Sequence, residues 1–214
     1  MTRLAVRLGH SEAAASAAEF AMVLPLLLML LLGIIDIGRF MWEMNLAEKA
    51  TQIGARQVAV TNPVSPGLIE ANFASDDIAP GQPIPANAMP DVICSSTECS
   101  CAVSTGGAEC PLEDESVATT AFTNIVTRMQ AIKPDITAAQ VRVTYSGSGF
   151  GFAGSPPTKG GGSVEEQMEV SPLITVSIEG AQFTPITSLL LASVNLPTAS
   201  TTVVAEDLSG IYSN

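Results

Sequence analysis

Residues 13–35, AAASAAEFAMVLPLLLMLLLGII, are the feature that most restricts how this chain can fold. A membrane-spanning helix needs about 20 mostly apolar residues. Residues 20–35 carry no charge, and the small residues 13–18 lengthen the run toward the N-terminus. Asp36 and Arg39 end it, and Trp42 stands next where an interfacial aromatic belongs. A cleaved secretory signal has an apolar core of about 7–15 residues with a small-x-small site just after it. Here the run is longer, DIGRFMWEMN comes after it, and the alanines lie before the core. A buried helix of a soluble domain would need other segments apolar enough to surround it, which the rest of the chain does not supply. The segment reads as a retained membrane helix.

Beyond the anchor there is room for one modest domain, since the chain has 214 residues. The net charge is −12, and from Val60 onward the basic residues are Arg128, Lys133, Arg142 and Lys159. An acidic domain argues against nucleic acid or anionic lipid as its main partner. Aromatics are few, while Ala, Ser, Thr, Gly and Pro are plentiful, which suits a small loop-rich domain better than an enzyme with a large core. Arg3 and Arg7 precede the helix and Arg39 and Lys49 lie just after it, so the positive-inside count is nearly balanced. The four cysteines decide the orientation. Cys94, Cys99, Cys101 and Cys110 form a compact, even-numbered group, the pattern of disulfides in an oxidising compartment. The large C-terminal part is expected outside the cytoplasm and the short leader, residues 1–12, inside.

The membrane helix, residues 13–36, is expected to continue without a break through residues 37–60. Pro25 lies inside it, where the loss of one backbone hydrogen bond tends to bend a helix and neighbouring helices can tolerate that in a membrane. Beyond Asp36, the residues Ile37, Phe40, Met41, Met44, Ala47, Ala50, Ile53, Gly54 and Val58 recur at three- and four-residue steps, the mark of one buried stripe. Asp36 with Arg39, and Arg39 with Glu43, share a face at helical spacing. Pro63 and Pro66 stop the helix.

Residues 61–111, rich in Pro, Ser, Asn and Gly, read as an irregular segment stapled by disulfides. A Cys99–Cys101 bridge would close a very tight loop, which leaves Cys94–Cys99 with Cys101–Cys110, or Cys94–Cys101 with Cys99–Cys110. The spacing C-x4-C-x-C-x8-C does not match the usual zinc patterns, and no histidine is near. Residues 112–214 read as an α+β domain. A helix is expected over 113–132, opened by Glu113, Asp114 and Glu115 at its positive end and ended by Pro134. Strands are expected over 140–145, 173–178 and 199–205, with Val141, Val143 and Tyr145 on one face. Residues 146–163 read as a flexible glycine-rich hairpin loop rather than a phosphate-binding loop, because they do not lead from a strand into a helix. Residues 186–194 are expected to form a short helix. The fold class is therefore α+β: a long helix packed on a small antiparallel sheet with a second helix.

No arrangement for catalysis is evident. The one histidine, His10, lies in the leader, so a Ser-His-Asp or Cys-His set in the domain is not available. The acids 113–115, and Glu165, Glu166 and Glu169, read as solvated, not as cation sites. No metal or cofactor is implied. Glu19 is the residue that asks for a role, since a carboxylate in an apolar span is costly and needs a partner. Either it sits at headgroup level in the first helical turn, or it pairs with a positive group on a neighbouring helix.

AAEFAMVLPLLLMLLLGIIDIGRF resembles the N-terminal signature of TadE-like proteins, pseudopilin-like components of Tad (tight adherence) pilus systems. The residues that carry the resemblance are Glu19 followed by Phe20, then Pro25, the leucine run, Gly33, Asp36, and Gly38 with Arg39. It covers roughly residues 13–59. The C-terminal stretches ITVSIEGAQFTPI and LPTASTTVVAED look, more weakly, like the end of these proteins. The resemblance implies a pilin-like fold in the bacterial inner membrane, a structural and not enzymatic role in pilus assembly and adhesion, and other Tad pilus or pseudopilin subunits as partners. It also implies a prepilin peptidase that cuts between Ala14 and Ala15, making Glu19 the fifth residue of the mature chain, where it meets the freed amine of a neighbour. Ala14 stands where such peptidases typically require glycine. An alternative from the residues alone is a membrane-anchored binding module that enters no filament.

Overall fold

A computed structural model describes residues 12–102, 109–112, 114–154, 168–189 and 192–205; for residues 12–15, 188 and 189 it describes the backbone alone. Leader residues 1–11 with His10, Glu113, Glu165, Glu166, Glu206 and Asp207 lie outside the described residues. By contact the chain divides into two compact units, one of residues 1–43 with 182–195, the other of residues 44–181 with 196–214.

Helix α1, Glu12–Ala59, runs 48 residues through both units and through Pro25. Its unbroken course follows from the absence of any second interior proline and from helix-favouring Leu, Met, Ala and Glu along it. In the first unit it is accompanied by a two-stranded antiparallel ribbon, β5 (Gln182–Phe183) with β6 (Val194–Asn195).

The second unit is a five-stranded antiparallel sheet with helices on one face. Its strands are β1 (Val92–Cys94), β2 (Cys99–Cys101), β3 (Val141–Ser146), β4 (Leu173–Ile178) and β7 (Ala199–Val204), in the order β2-β1-β3-β4-β7. The register places Tyr145 opposite Ile174, Val143 opposite Val176 and Val141 opposite Ile178. All six are buried, so alternate residues of β3 and β4 build one apolar face, as expected for a sheet with one side packed. Helix α3, Thr119–Gln130, turns Phe122, Ile125, Val126 and Met129 into the same core. The last turns of α1 close it with Ala47, Ala50, Ala55 and Val58. Gly54 lets the elements meet, because a Cβ there would lie 2.8 Å from Met129 Sδ and 3.2 Å from Val176 Cγ1. Thr51 on α1 and Thr201 on β7 share a hydroxyl–hydroxyl hydrogen bond of 2.8 Å.

Several expectations are corrected. In the expected stripe of α1, Phe40 and Met44 are half-buried and full burial begins at Ala47, but Ile37 and Met41 are 63% and 61% exposed and continue the exposed surface of the apolar span. The second helix begins at Thr119, not 113. The residues before it are engaged elsewhere: Glu115 C=O accepts from Cys99 N–H at 2.8 Å, and Ala118 N–H donates to Val64 C=O at 2.8 Å. Asp114 accepts from the Ser116 hydroxyl and N–H, at 2.7 and 2.8 Å, which holds its carboxyl below the usual range. Residues 61–111 are more regular than expected. They supply a short helix α2 (Pro66–Glu70), a 3-10 turn (Ala86–Ala88), and two strands of the main sheet. The described residues of 186–194 form a 3-10 turn, Ile186–Leu189, and the start of β6, so the expected helix does not run through to 194. The described part of the glycine-rich loop, up to Gly154, is docked: Gly151 bridges Val170 and Phe152 bridges Pro83. Glu169 is buried, not solvated, and its carboxylate accepts from Phe73 N–H at 2.9 Å.

Candidate functional site

Of the residues singled out in the sequence, Glu19, Phe20 and Pro25 all lie on α1 with exposed side chains. Phe20, Met22, Leu26, Met29 and Ile34 are 63%, 81%, 72%, 54% and 60% exposed, so among the described residues nothing covers the apolar span. In water such a surface is costly, at about 25 cal/mol per Å2 of apolar area, and contiguous apolar patches of this kind mark membrane or protein contacts. The helix is long and apolar enough to cross a membrane. Ala14 and Ala15 are helical in backbone, and their side chains lie outside the described residues.

The four cysteines are paired Cys94–Cys99 and Cys101–Cys110, one of the two pairings left open by spacing. Cys94 and Cys99 stand directly opposite each other across β1 and β2, and both are fully buried. Cys101 and Cys110 fasten the end of β2 to the segment that precedes α3, and Cys110 is exposed. All four thiols are consumed, which leaves none of them to hold a metal.

The site that sequence reasoning missed is centred on Asp36. Helical spacing pairs this residue with Arg39 alone, yet in the fold it has four donors. Arg39 Nη1 lies 3.3 Å from Oδ1. Ile186 N–H donates to Oδ1 at 2.7 Å, and Thr187 donates to Oδ2 twice, from its N–H at 3.0 Å and its hydroxyl at 2.7 Å. The carboxylate thus serves the orphan N–H groups at the start of the 3-10 turn, the role an N-cap plays locally, but from another element 150 residues away. Charge-assisted hydrogen bonds of this kind are the strong ones. One turn further along α1, Phe40 meets Phe183 edge-on with centroids 5.6 Å apart, and the Arg39 guanidinium lies 5.3 Å from the same ring. Asp36, Arg39 and Phe40 therefore button the β5–β6 ribbon to the helix where the apolar span ends. Nothing local in the sequence announces this, because a capping carboxylate is normally sought within three residues of the turn it caps.

No curated protein and no solved structure matches the chain. Residues 14–56 match the family model described as TadE-like protein, and the chain therefore carries a TadE-like N-terminal segment.

Proposed function

We propose that this chain is a TadE-like minor pilin or pseudopilin, a single-pass structural component of Tad-type pilus biogenesis in the bacterial inner membrane. The observation that carries the reading is the uncovered apolar surface of α1 within the family-matched residues 14–56. Residues 1–12 would be the cytoplasmic leader, 13–36 the membrane helix and 37–60 its extracytoplasmic half. The disulfide-bearing segment 61–111 and the α+β domain 112–214 would face an oxidising compartment. The role is structural and not enzymatic, and its partners are the bilayer, other pilus or pseudopilin subunits, and a prepilin peptidase.

Glu19 has the central part. Cleavage between Ala14 and Ala15 frees an amine that meets Glu19 of an adjacent chain. In a low-dielectric setting, leaving either charge alone is strongly unfavourable, so the pair sets the register of assembly. Phe20 and Pro25 shape the surface on which neighbouring helices meet.

Sequencing the N-terminus of protein extracted from its native membranes tests processing: a start at Ala15 supports it, and a chain still carrying its leader removes it. Glu19→Ala tests assembly. The variant is expected to fold and to abolish pilus production and adhesion. Unchanged pili would overturn the role of Glu19 and leave a membrane-anchored binding module as the reading that remains.

A further inference from the structure

We propose that the β5–β6 ribbon is a membrane-interface foot, which seats the exposed side chains of Ile186 and Val194 at the headgroup–acyl boundary of the bilayer from which α1 emerges. This rests on the reading of α1 as a membrane-spanning helix.

The direction of the ribbon carries the argument. Phe183 on β5 packs at the level of Phe40. Ile186, three residues later, is bonded to Asp36. Leaving β5, the chain thus runs back along α1 by four helical residues, about 6 Å at 1.5 Å per residue, toward the apolar span. Trp42, 66% exposed, lies six residues beyond Asp36 on the other side, about 9 Å farther from the span. With the tryptophan at the interface, Ile186 lies deeper than the tryptophan does.

The chemistry of the ribbon fits that depth. Ile186 and Val194 are 53% and 49% exposed, and Ile35 and Ile37 beside the Asp36 level on α1 are 49% and 63% exposed. All four present exposed apolar side chains near the end of the span. Between Glu179 and Glu206 the chain has no charged residue, although its net charge is −12. An acidic element would be repelled from an anionic surface; this one is neutral. Asp36 is the exception that the ribbon resolves. A carboxylate at the edge of the hydrocarbon must be paired, and two backbone N–H groups, one hydroxyl and Arg39 pair it. The occupant of this surface is phospholipid.

The test uses the full chain in phosphatidylcholine vesicles doped with lipids brominated near the glycerol end of the acyl chains or near their tips. Wild-type Trp42 is the sole tryptophan and reports on the anchor. Trp42→Phe combined with Ile186→Trp, or with Val194→Trp, moves the indole to exposed ribbon positions. Near-glycerol bromines are expected to quench the indole at position 186 at least as strongly as Trp42, and that at 194 less, because Val194 pairs with Phe183. Adding Asp36→Ala should cut quenching at 186 at least twofold. If Trp42 is quenched while position 186 and position 194 are open to aqueous iodide like a free indole, the foot is refuted and the anchor stands. If the chain fails to float with vesicles and Trp42 is unquenched, the membrane reading falls and the foot with it.

Discussion

Tyr145 is where a single atom can be removed with a calculable result. It lies in β3, fully buried, and its hydroxyl oxygen accepts from Val64 N–H at 3.0 Å. Val64 is also fully buried and lies just past the end of α1. Its carbonyl in turn accepts from Ala118, at the threshold of α3. One residue therefore ties the exit of the long helix to the sheet and to the second helix. Tyr145→Phe keeps the ring and its packing but leaves the Val64 N–H without its acceptor. Stranding a buried donor costs about 1–3 kcal/mol, beyond which the lost oxygen leaves only a small void. Taking about 2 kcal/mol, and roughly 2–4 °C per kcal/mol for a chain of this size, the melting temperature should fall by about 4–8 °C. The assay is thermal unfolding of the full chain in detergent micelles, followed by circular dichroism. Tyr145→Leu, which adds a cavity, should cost more. A melting temperature for Tyr145→Phe within about 1 °C of wild type would refute the reasoning, since it would mean that Val64 finds another partner at no cost.

The same burial makes stability depend on pH at the alkaline end. Burial pushes the Tyr145 phenol far above its ordinary value, so the folded state keeps its proton while the unfolded chain loses it. The contribution is whole below pH about 10 and falls by about 1.4 kcal/mol per pH unit above it. In Tyr212→Phe, which leaves Tyr145 the only tyrosine, phenolate absorbance should rise only together with unfolding; a rise in the folded protein would contradict the burial. Native reduction should open Cys101–Cys110 before Cys94–Cys99, because Cys110 is exposed and both cysteines of the other pair are buried; mapping by alkylation and mass spectrometry reads the order, and the reverse order would count against it. Asp36→Ala should speed amide exchange at Ile186 and Thr187 by on the order of 100-fold, given the strength of hydrogen bonds to a charged acceptor, with β3 and β4 unchanged. Exchange rising by less than about threefold, or rising equally throughout the sheet, would show that Asp36 does not act locally on the ribbon.

Whatever is written in short-range periodicity is legible in the amino-acid sequence. The long helix is expected over 13–60 and spans Glu12–Ala59, because its apolar span and its three-and-four stripe are properties of neighbouring residues. The strand expected over 173–178 is β4, and β3, whose residues alternate with period two, lies within a residue of its expected bounds. The family-like signature around Glu19, Phe20, Pro25 and Asp36 is equally local. Tertiary structure decided the rest. Strands β1 and β2 are three residues each, too short to show a period, and exist because β1 pairs with β3 and β2 with β1. Between the two disulfide pairings, the antiparallel register that sets Cys94 opposite Cys99 chose one. Acids 114 and 115 do not open a helix because Ser116 and Cys99 already hydrogen-bond to their segment. Spacing along the helix pairs Asp36 with Arg39, one turn away, whereas most of its donors come from residues 186 and 187. A pattern along the chain can say which face of an element is apolar or which residue is charged. Which distant N–H a carboxylate will meet depends on a chain reversal that brings residue 186 to residue 36, and only the folded molecule contains it.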